Sequence, residues 1–203
     1  MPSKKRKWNR SLRRSRGSQN QSAIQQYMPM ILGAAAIGLI VLVGYALFVA
    51  VNSSGSGSNF EFDVYQGNNI LGGDKVTLDE VLALNKPLVL NFWAGDCPPC
   101  RAEMPAFQRV HEEYGGDVLF LGLDVGVFTG LGTEASARRL LDELRITYPI
   151  GAPHSRSAVV SYSVRSMPTT VFFDAKGKLV DRVDGAMNEF RLITIVDKIL
   201  ETS

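Results

Sequence analysis

Residues 28–51 run for 24 positions without a charged side chain, and this stretch divides the chain before any other feature does. As a helix rising about 1.5 Å per residue it reaches about 36 Å, enough to cross a hydrocarbon core of about 30 Å. A buried helix of a globular domain carries a polar face, and this stretch has none. A cleaved signal peptide is the rival. Its apolar region spans only about 7–15 residues and ends in a small-x-small site, for which Val51 and Ser53 are a poor fit. The stretch therefore reads as a retained N-terminal transmembrane helix.

The flanks orient it. Residues 1–27 hold eight basic side chains (Lys4, Lys5, Arg6, Lys7, Arg10, Arg13, Arg14, Arg16) and no acid, whereas no Lys or Arg lies between the apolar stretch and Lys75. The positive-inside rule then puts residues 1–27 in the cytoplasm as a basic tail and everything after the helix outside it. The Lys4–Lys7 cluster also suits a nuclear signal or a nucleic-acid arm, and Arg13-Arg14 a twin-arginine signal, but topology already accounts for a juxtamembrane basic cluster. Of 22 basic residues, fourteen remain beyond the tail against 20 acidic ones, so the rest of the chain carries a net charge near −6. Residues 52–59, rich in Ser and Gly, form a flexible linker. Residues 60–203 are left as the working domain, large enough to bury its own core.

Within that domain the pattern alternates between strand and helix. Phe60, Phe62 and Val64 alternate with polar neighbours as a half-buried strand, followed by a turn at residues 67–69. Thr77 caps a short helix over 78–84. Residues 87–92 form an apolar run suited to a central strand, and Cys100, Met104, Phe107, Val110 and Tyr114 recur at helical spacing. Residues 118–125 are again strand-like. Thr133 caps a helix with Leu140, Leu141 and Leu144 inward, and a shorter helix follows near 157–162. Residues 170–173 and 179–183 flank a turn at 174–177 as a hairpin. The last helix, 188–200, is expected to bury Phe190, Ile193, Val196 and Leu200. This order implies an α/β domain with a mixed sheet and helices on both faces.

The chain has two cysteines, Cys97 and Cys100, separated by Pro98 and Pro99. A structural bridge closing so short a loop restrains the unfolded chain by only about 2 kcal/mol. A structural zinc site needs further ligands, and His111 and His154 are not spaced to supply them. A reactive dithiol fits better. Cys97 falls at a helix start, where unpaired N–H groups and the helix dipole favour the thiolate, and Cys100 follows one turn on, placed to resolve a mixed disulfide.

With Asn91-Phe-Trp-Ala-Gly-Asp-Cys-Pro-Pro-Cys-Arg-Ala-Glu-Met-Pro105 on view, the chain resembles thioredoxin-like proteins of the TlpA/ResA type. The likeness extends through residues 145–149, Val164-Arg-Ser-Met-Pro-Thr-Thr-Val-Phe-Phe-Asp174, residues 177–180 and Gly185, so it covers about residues 60–200. It implies a thioredoxin-like fold with a central mixed sheet, Cys97 as exposed nucleophile, Cys100 as resolving thiol and Pro168 as a cis-proline beside the disulfide. A cis turn at Met167-Pro168 would free the backbone of Met167 to pair with an extended substrate segment. The substrate side is assigned to Trp93, Pro98, Pro99, Met167, Pro168 and Gly185, although Phe92 and Trp93 read as packing residues rather than as a binding box. Glu103 matches a carboxylate that such proteins keep beside the dithiol, a candidate for deprotonating Cys100; the competing view is an ordinary exposed helical glutamate. Asn91 stands where cytosolic thioredoxins bury an aspartate, and Asp96 replaces the usual tryptophan. Pro105 is expected to kink its helix.

The function implied is a membrane-anchored thiol–disulfide oxidoreductase with its catalytic domain outside the cytoplasm. It would serve as a protein disulfide reductase for exported thiol or disulfide proteins, for example in cytochrome c maturation, fed by a membrane electron-donor protein. No cofactor, bound metal or nucleic acid is expected. A disulfide-forming oxidase recharged by a quinone-linked membrane enzyme is the alternative within the same chemistry. A copper-binding assembly factor using both cysteines and His154 is the alternative from another class. A peroxidase resembling Pro-x-x-x-Thr-x-x-Cys is disfavoured by Ala94.

Overall fold

The computed structural model describes Gly33, residues 37–45 and residues 59–202. The chain divides into two compact units, one ending at Ser54 and the other beginning at Gly55. In the first, residues 37–45 are helical, and among the described residues no helix is long and apolar enough to cross a membrane. The basic tail, the remainder of the expected transmembrane helix and the linker up to residue 58 lie outside the described residues.

The second unit is built on a seven-stranded sheet. Its strands are β1 (Glu61–Gln66), β2 (Lys75–Thr77), β3 (Leu88–Trp93), β4 (Leu119–Asp124), β5 (Ile150–Pro153), β6 (Thr169–Phe173) and β7 (Leu179–Asp184), in spatial order β2-β1-β5-β4-β3-β6-β7. The pairs β3–β4 and β4–β5 are parallel and the other four antiparallel. Every residue of β3 and of β4 is buried, which is why both read as near-continuous apolar runs and lie inside the sheet. The helices are α1 (Asn68–Leu71), α2 (Leu78–Leu82), α3 (Pro98–Tyr114), α4 (Gly126–Thr129), α5 (Glu134–Leu144), α6 (Ser157–Ser161) and α7 (Glu189–Glu201). Helices α3, α5 and α7 pack on the sheet face that carries Val89, Trp93, Phe120, Ile150 and Phe172. Helices α2 and α6 cover the opposite face, with Leu88, Leu90, Phe92, Leu121 and Val171.

Local chemistry explains the boundaries. Thr77 starts α2 through a capping box with Glu80, and Thr133 starts α5 through one with Ser136. Pro105 sits inside α3, which nevertheless runs unbroken to Tyr114. Four expectations need correction. The turn at 67–69 is the entry to one-turn helix α1. There Gly67 adopts φ 80°, and a Cβ on it would stand 2.9 Å from the Cα of Pro149. Helix α2 ends at Leu82 rather than 84. Strands β2 and β5 are not apparent in the sequence, being three and four residues long, with Gly151 and Pro153 in β5 concealing its strand character. Gly151 is needed there, because a Cβ would run 2.7 Å from the carbonyl oxygen of Asp63 on β1.

The fourth correction is the buried face of α7. Leu192, Ile195, Val196 and Ile199 face inward, whereas Phe190 is 80% exposed. Asn188 caps the helix by accepting from the Arg191 N–H, and Glu189 accepts from Arg109 of α3 (2.6 Å), so the first turn is held in a rotation that leaves Phe190 outside.

Candidate active site

Strand β3 leads directly into the cysteine pair. Its last residue, Trp93, accepts through its carbonyl from the Val125 N–H (2.9 Å), and the Asp96 N–H donates to the Leu131 carbonyl (2.8 Å), fixing the loop before α3. Cys97 is the N-cap of α3 and is disulfide-bonded to Cys100. Its sulfur accepts from the Cys100 N–H at 3.3 Å. Pro98 and Pro99 fill the first two helical positions and carry no N–H, and the Arg101 N–H is spent on the Cys97 carbonyl (3.0 Å). One first-turn donor therefore serves the Cys97 sulfur, where an ordinary helix start offers more.

Cys97 is not exposed in the ordinary sense: it is 3% exposed and Cys100 is 0%. The two differ in what they face. Cys97 lines an open groove of about 450 Å³ together with Pro98, Pro99, Thr129, Leu131, Arg156, Val164, Arg165, Ser166 and Met167, and Cys100 is not among its walls. Of the residues assigned to substrate, the structure thus brings Pro98, Pro99 and Met167 to the groove. The Met167–Pro168 peptide is cis. Pro168 itself is buried, and its carbonyl accepts from the N–H of Gly185, which adopts φ 90°, at 2.8 Å. These two residues support the loop from behind and do not line the groove. Trp93 needs a firmer correction. It is 0% exposed within the core under α3, because alternate residues of β3 point to that face. It packs in the core and does not line the groove.

Glu103 is not an exposed helical glutamate. At 3% exposure it lies one turn beyond Cys100 on the inner side of α3, accepting from Asn91 Nδ2 (2.8 Å) and from the Met187 N–H (3.0 Å). Burial pushes its carboxyl up to about 7, against the opposing pull of those two donors. Asn91 also donates to Thr170 Oγ1 (2.9 Å), and its Oδ1 has no partner among the described residues. The fully buried Tyr148 hydroxyl is likewise without one, and burial, followed by the Glu103 charge, holds it protonated. Thr170 and Met187 complete this cluster without any signal in the sequence; β6 and the loop before α7 deliver them from about 80 residues away.

His154 is not among the walls of the groove at Cys97. Its Nδ1 and Nε2 each lie 2.9 Å from a carboxylate of β1, Glu61 and Asp63. With Tyr65, Asp124 and Glu134 it lines a separate pocket of about 230 Å³. Among the described residues no group of three His, Cys, Asp or Glu side chains is arranged to hold a metal.

A model of the AhpC/TSA family matches residues 59–182, well over half of the chain. The chain belongs to the AhpC/TSA family. It is 37% identical over 112 residues to the thiol-disulfide oxidoreductase ResA of Oceanobacillus iheyensis, a match that covers 53% of this chain and only about half, 54%, of that relative's length. It is 32% identical over 163 residues to the thioredoxin-like protein YneN of Bacillus subtilis, covering 76% of this chain and 91% of YneN. Among solved structures it is similar to the pneumococcal exposed lipoprotein thioredoxin Etrx1 from Streptococcus pneumoniae, with TM-score 0.54, 26% identity and coverage of 70% of this chain and 99% of that one. The fold is thioredoxin-like, with a central mixed sheet between helices.

Proposed function

We propose that this chain is a membrane-tethered thiol–disulfide oxidoreductase of the ResA type that works outside the cytoplasm as a reductase of exported proteins. The observation that carries this reading is the pairing of Cys97, open to a groove with Met167 on its wall, with Cys100, closed off above a buried carboxyl. Apocytochromes c are substrates of the right kind, and a membrane protein presenting a dithiol supplies the electrons. The 24-residue apolar stretch with its basic flank supports the tether and its orientation.

In the reduced chain, the Cys97 thiolate attacks one sulfur of a substrate disulfide. The Cys97–substrate bond forms as the substrate S–S bond breaks, and the other substrate sulfur leaves as a thiolate and takes a proton. Glu103, whose ordinary carboxylate pKa burial has pushed up to about 7, accepts the proton of Cys100. The Cys100 thiolate then attacks the Cys97 sulfur and expels the second substrate thiolate. Two electrons have passed to the substrate, and Cys97–Cys100 is the disulfide left behind for the membrane dithiol to reduce.

The thiolate's surroundings support the reducing direction. With one first-turn N–H on its sulfur and Asp96 beside it, Cys97 is only modestly favoured as thiolate, which destabilises the dithiol relative to that of a strong oxidant. The full chain, equilibrated in glutathione buffers, is expected to show a reduction potential below about −180 mV. A value near −120 mV, that of a strong periplasmic oxidant, would replace the reductase with a disulfide-forming oxidase. The attack order has its own test: Cys100→Ser traps substrates as mixed disulfides and Cys97→Ser traps almost none. Equal trapping by the two variants would sink the assignment.

A further inference from the structure

Two charges in the groove are unused by the exchange chemistry. Arg156 and Arg165 both line it beside Cys97 and both are exposed. Arg156 donates from Nη1 to the Phe128 carbonyl (2.9 Å), which anchors the guanidinium at the rim and leaves the rest of its fork open. Neither arginine makes an ion pair among the described residues. The carboxylate that feels Arg165 is Asp184, and it is held first by Arg182, with Arg165 the weakest of its influences. No carboxylate is among the groove's walls, and Asp96, next to Cys97, is not one of them. The remaining walls, including Pro98, Pro99 and Met167, are uncharged. The groove is therefore a local positive site on a part of the chain whose charges sum to about −6.

We propose that Arg156 and Arg165 determine specificity, selecting disulfide substrates that carry an acidic side chain close in sequence to the cysteine Cys97 attacks. This rests on the oxidoreductase reading above and names its substrate class. A carboxylate that meets these two guanidinium groups, neither of them ion-paired among the described residues, gains charge-assisted hydrogen bonds, and the groove's unopposed positive charge raises the local concentration of such a segment. The transferred electrons and the bonds made and broken are those of the exchange already described, with dithiothreitol as the dithiol that reduces the chain beforehand.

The experiment measures second-order rates of mixed-disulfide formation between the reduced full chain and synthetic disulfide peptides. One peptide places Asp two residues from the cysteine, one has Asn there, and one keeps the Asp but moves it to the far end, so that net charge is unchanged. The near-Asp peptide is expected to react on the order of tenfold faster than the Asn peptide at low ionic strength, with the advantage shrinking in high salt. The far-Asp peptide should show no such advantage. In the Arg156→Gln/Arg165→Gln variant the near-Asp to Asn ratio should collapse towards one. Arg165→Gln alone, which removes no hydrogen bond among the described residues, should lower the ratio part of the way. Equal rates for near-Asp and Asn peptides, equal rates for near and far Asp, or a ratio that survives the double variant would overturn the proposal. If the reduced chain releases no thiol from any of the peptides, the Asn peptide included, the oxidoreductase reading itself fails and the proposal falls with it.

Discussion

The two faces of the sheet are built to different standards. The face under α2 and α6 is a packing of Leu, Val and Phe with one alanine and one tyrosine, and among the described residues Tyr162 is the single side chain there whose buried polar atom lacks a partner. The face under α3, α5 and α7 buries Glu103 and Asn91 and leaves Asn91 Oδ1, Trp93 Nε1, His111 Nδ1 and the Tyr148 hydroxyl without hydrogen bonds. Each such group costs about 1–3 kcal/mol relative to a satisfied one. A core selected only for stability would have replaced them. Both faces bury an extensive core, but only this one also carries the surplus polarity, and part of it, Asn91, holds the titratable Glu103 carboxyl in the helix that starts at Cys97.

The largest expected effect breaks the quiet face. Phe92 is fully buried there, in contact with the Tyr162 ring at 5.4 Å between centroids. Phe92→Ala should cost about 3–5 kcal/mol in urea denaturation, while mixed-disulfide formation per folded molecule stays within about twofold of the parent, as expected when a mutation acts on population and leaves the site intact. A many-fold loss of that rate in the folded fraction would erase the distinction between the faces.

The next effect acts on the other face and depends on pH. The Glu103 carboxyl sits near 7 in the folded chain against 4.5 for the free side chain. Between those values the folded chain holds the proton more tightly than the unfolded one, so this group lowers stability as pH rises from about 4.5 to 7, and the whole penalty is present above 7. Glu103→Gln does not titrate. Its Nε2 meets Asn91, whose unpartnered Oδ1 becomes an acceptor if the amide turns. The variant should gain on the parent across that window, by up to about 3 kcal/mol at pH 8, and resolve its mixed disulfides on the order of a hundredfold more slowly near neutral pH. A pH-independent stability difference with normal resolution would make Glu103 a packing residue.

These two sites also show what the sequence could disclose. The Cys97–Cys100 pair, the N-terminal half of α3 and the β6–β7 hairpin are written in neighbouring residues, so spacing and turn chemistry suffice to find them. The surroundings of Glu103 are not local: Met187 and Thr170 reach it through the packing of α7 and β6, and no window along the chain contains them together with it. Trp93 illustrates the same limit, since position beside a motif suggests contact with substrate whereas strand alternation sends it into the core. In α7 two overlapping apolar stripes compete, and the choice falls to Asn188 and the Arg109–Glu189 contact at its first turn, a tertiary decision that periodicity cannot make. Strand β5 is hidden because the glycine that lets Phe62 approach also lowers its strand propensity.

A smaller effect tests whether the unpaired groups of the active face are a real cost. Tyr148 is fully buried, and its hydroxyl has no partner. Tyr148→Phe removes the hydroxyl and leaves the ring, so stability should rise by about 1–2 kcal/mol. Loss of stability by a similar amount would mean that the hydroxyl is satisfied in solution and that this face is less burdened than the comparison of the two faces implies.

The smallest effect sharpens the account of Cys97 and comes with its own control. An N-cap side chain accepts from the second or third helical N–H and not from the first. At Cys97 the third position, Cys100, already donates, the second is Pro99 and the first is Pro98. Pro99→Ala therefore adds a donor able to reach the sulfur, and Pro98→Ala adds one that points elsewhere. A second donor worth about 1 kcal/mol to the thiolate stabilises the dithiol, makes the disulfide a stronger oxidant and should raise the reduction potential by roughly 20 mV, since about 30 mV corresponds to 1.4 kcal/mol for a two-electron couple. Pro98→Ala should move it far less. Both variants lose the restraint a proline places on the unfolded chain, so a loss of up to about 1 kcal/mol in folding stability common to the two is expected and carries no information about the thiolate. The difference between their potentials does. If Pro98→Ala shifts the potential as much as Pro99→Ala, the N-cap geometry is not what limits the Cys97 thiolate, and the weight of the reducing bias moves to Asp96.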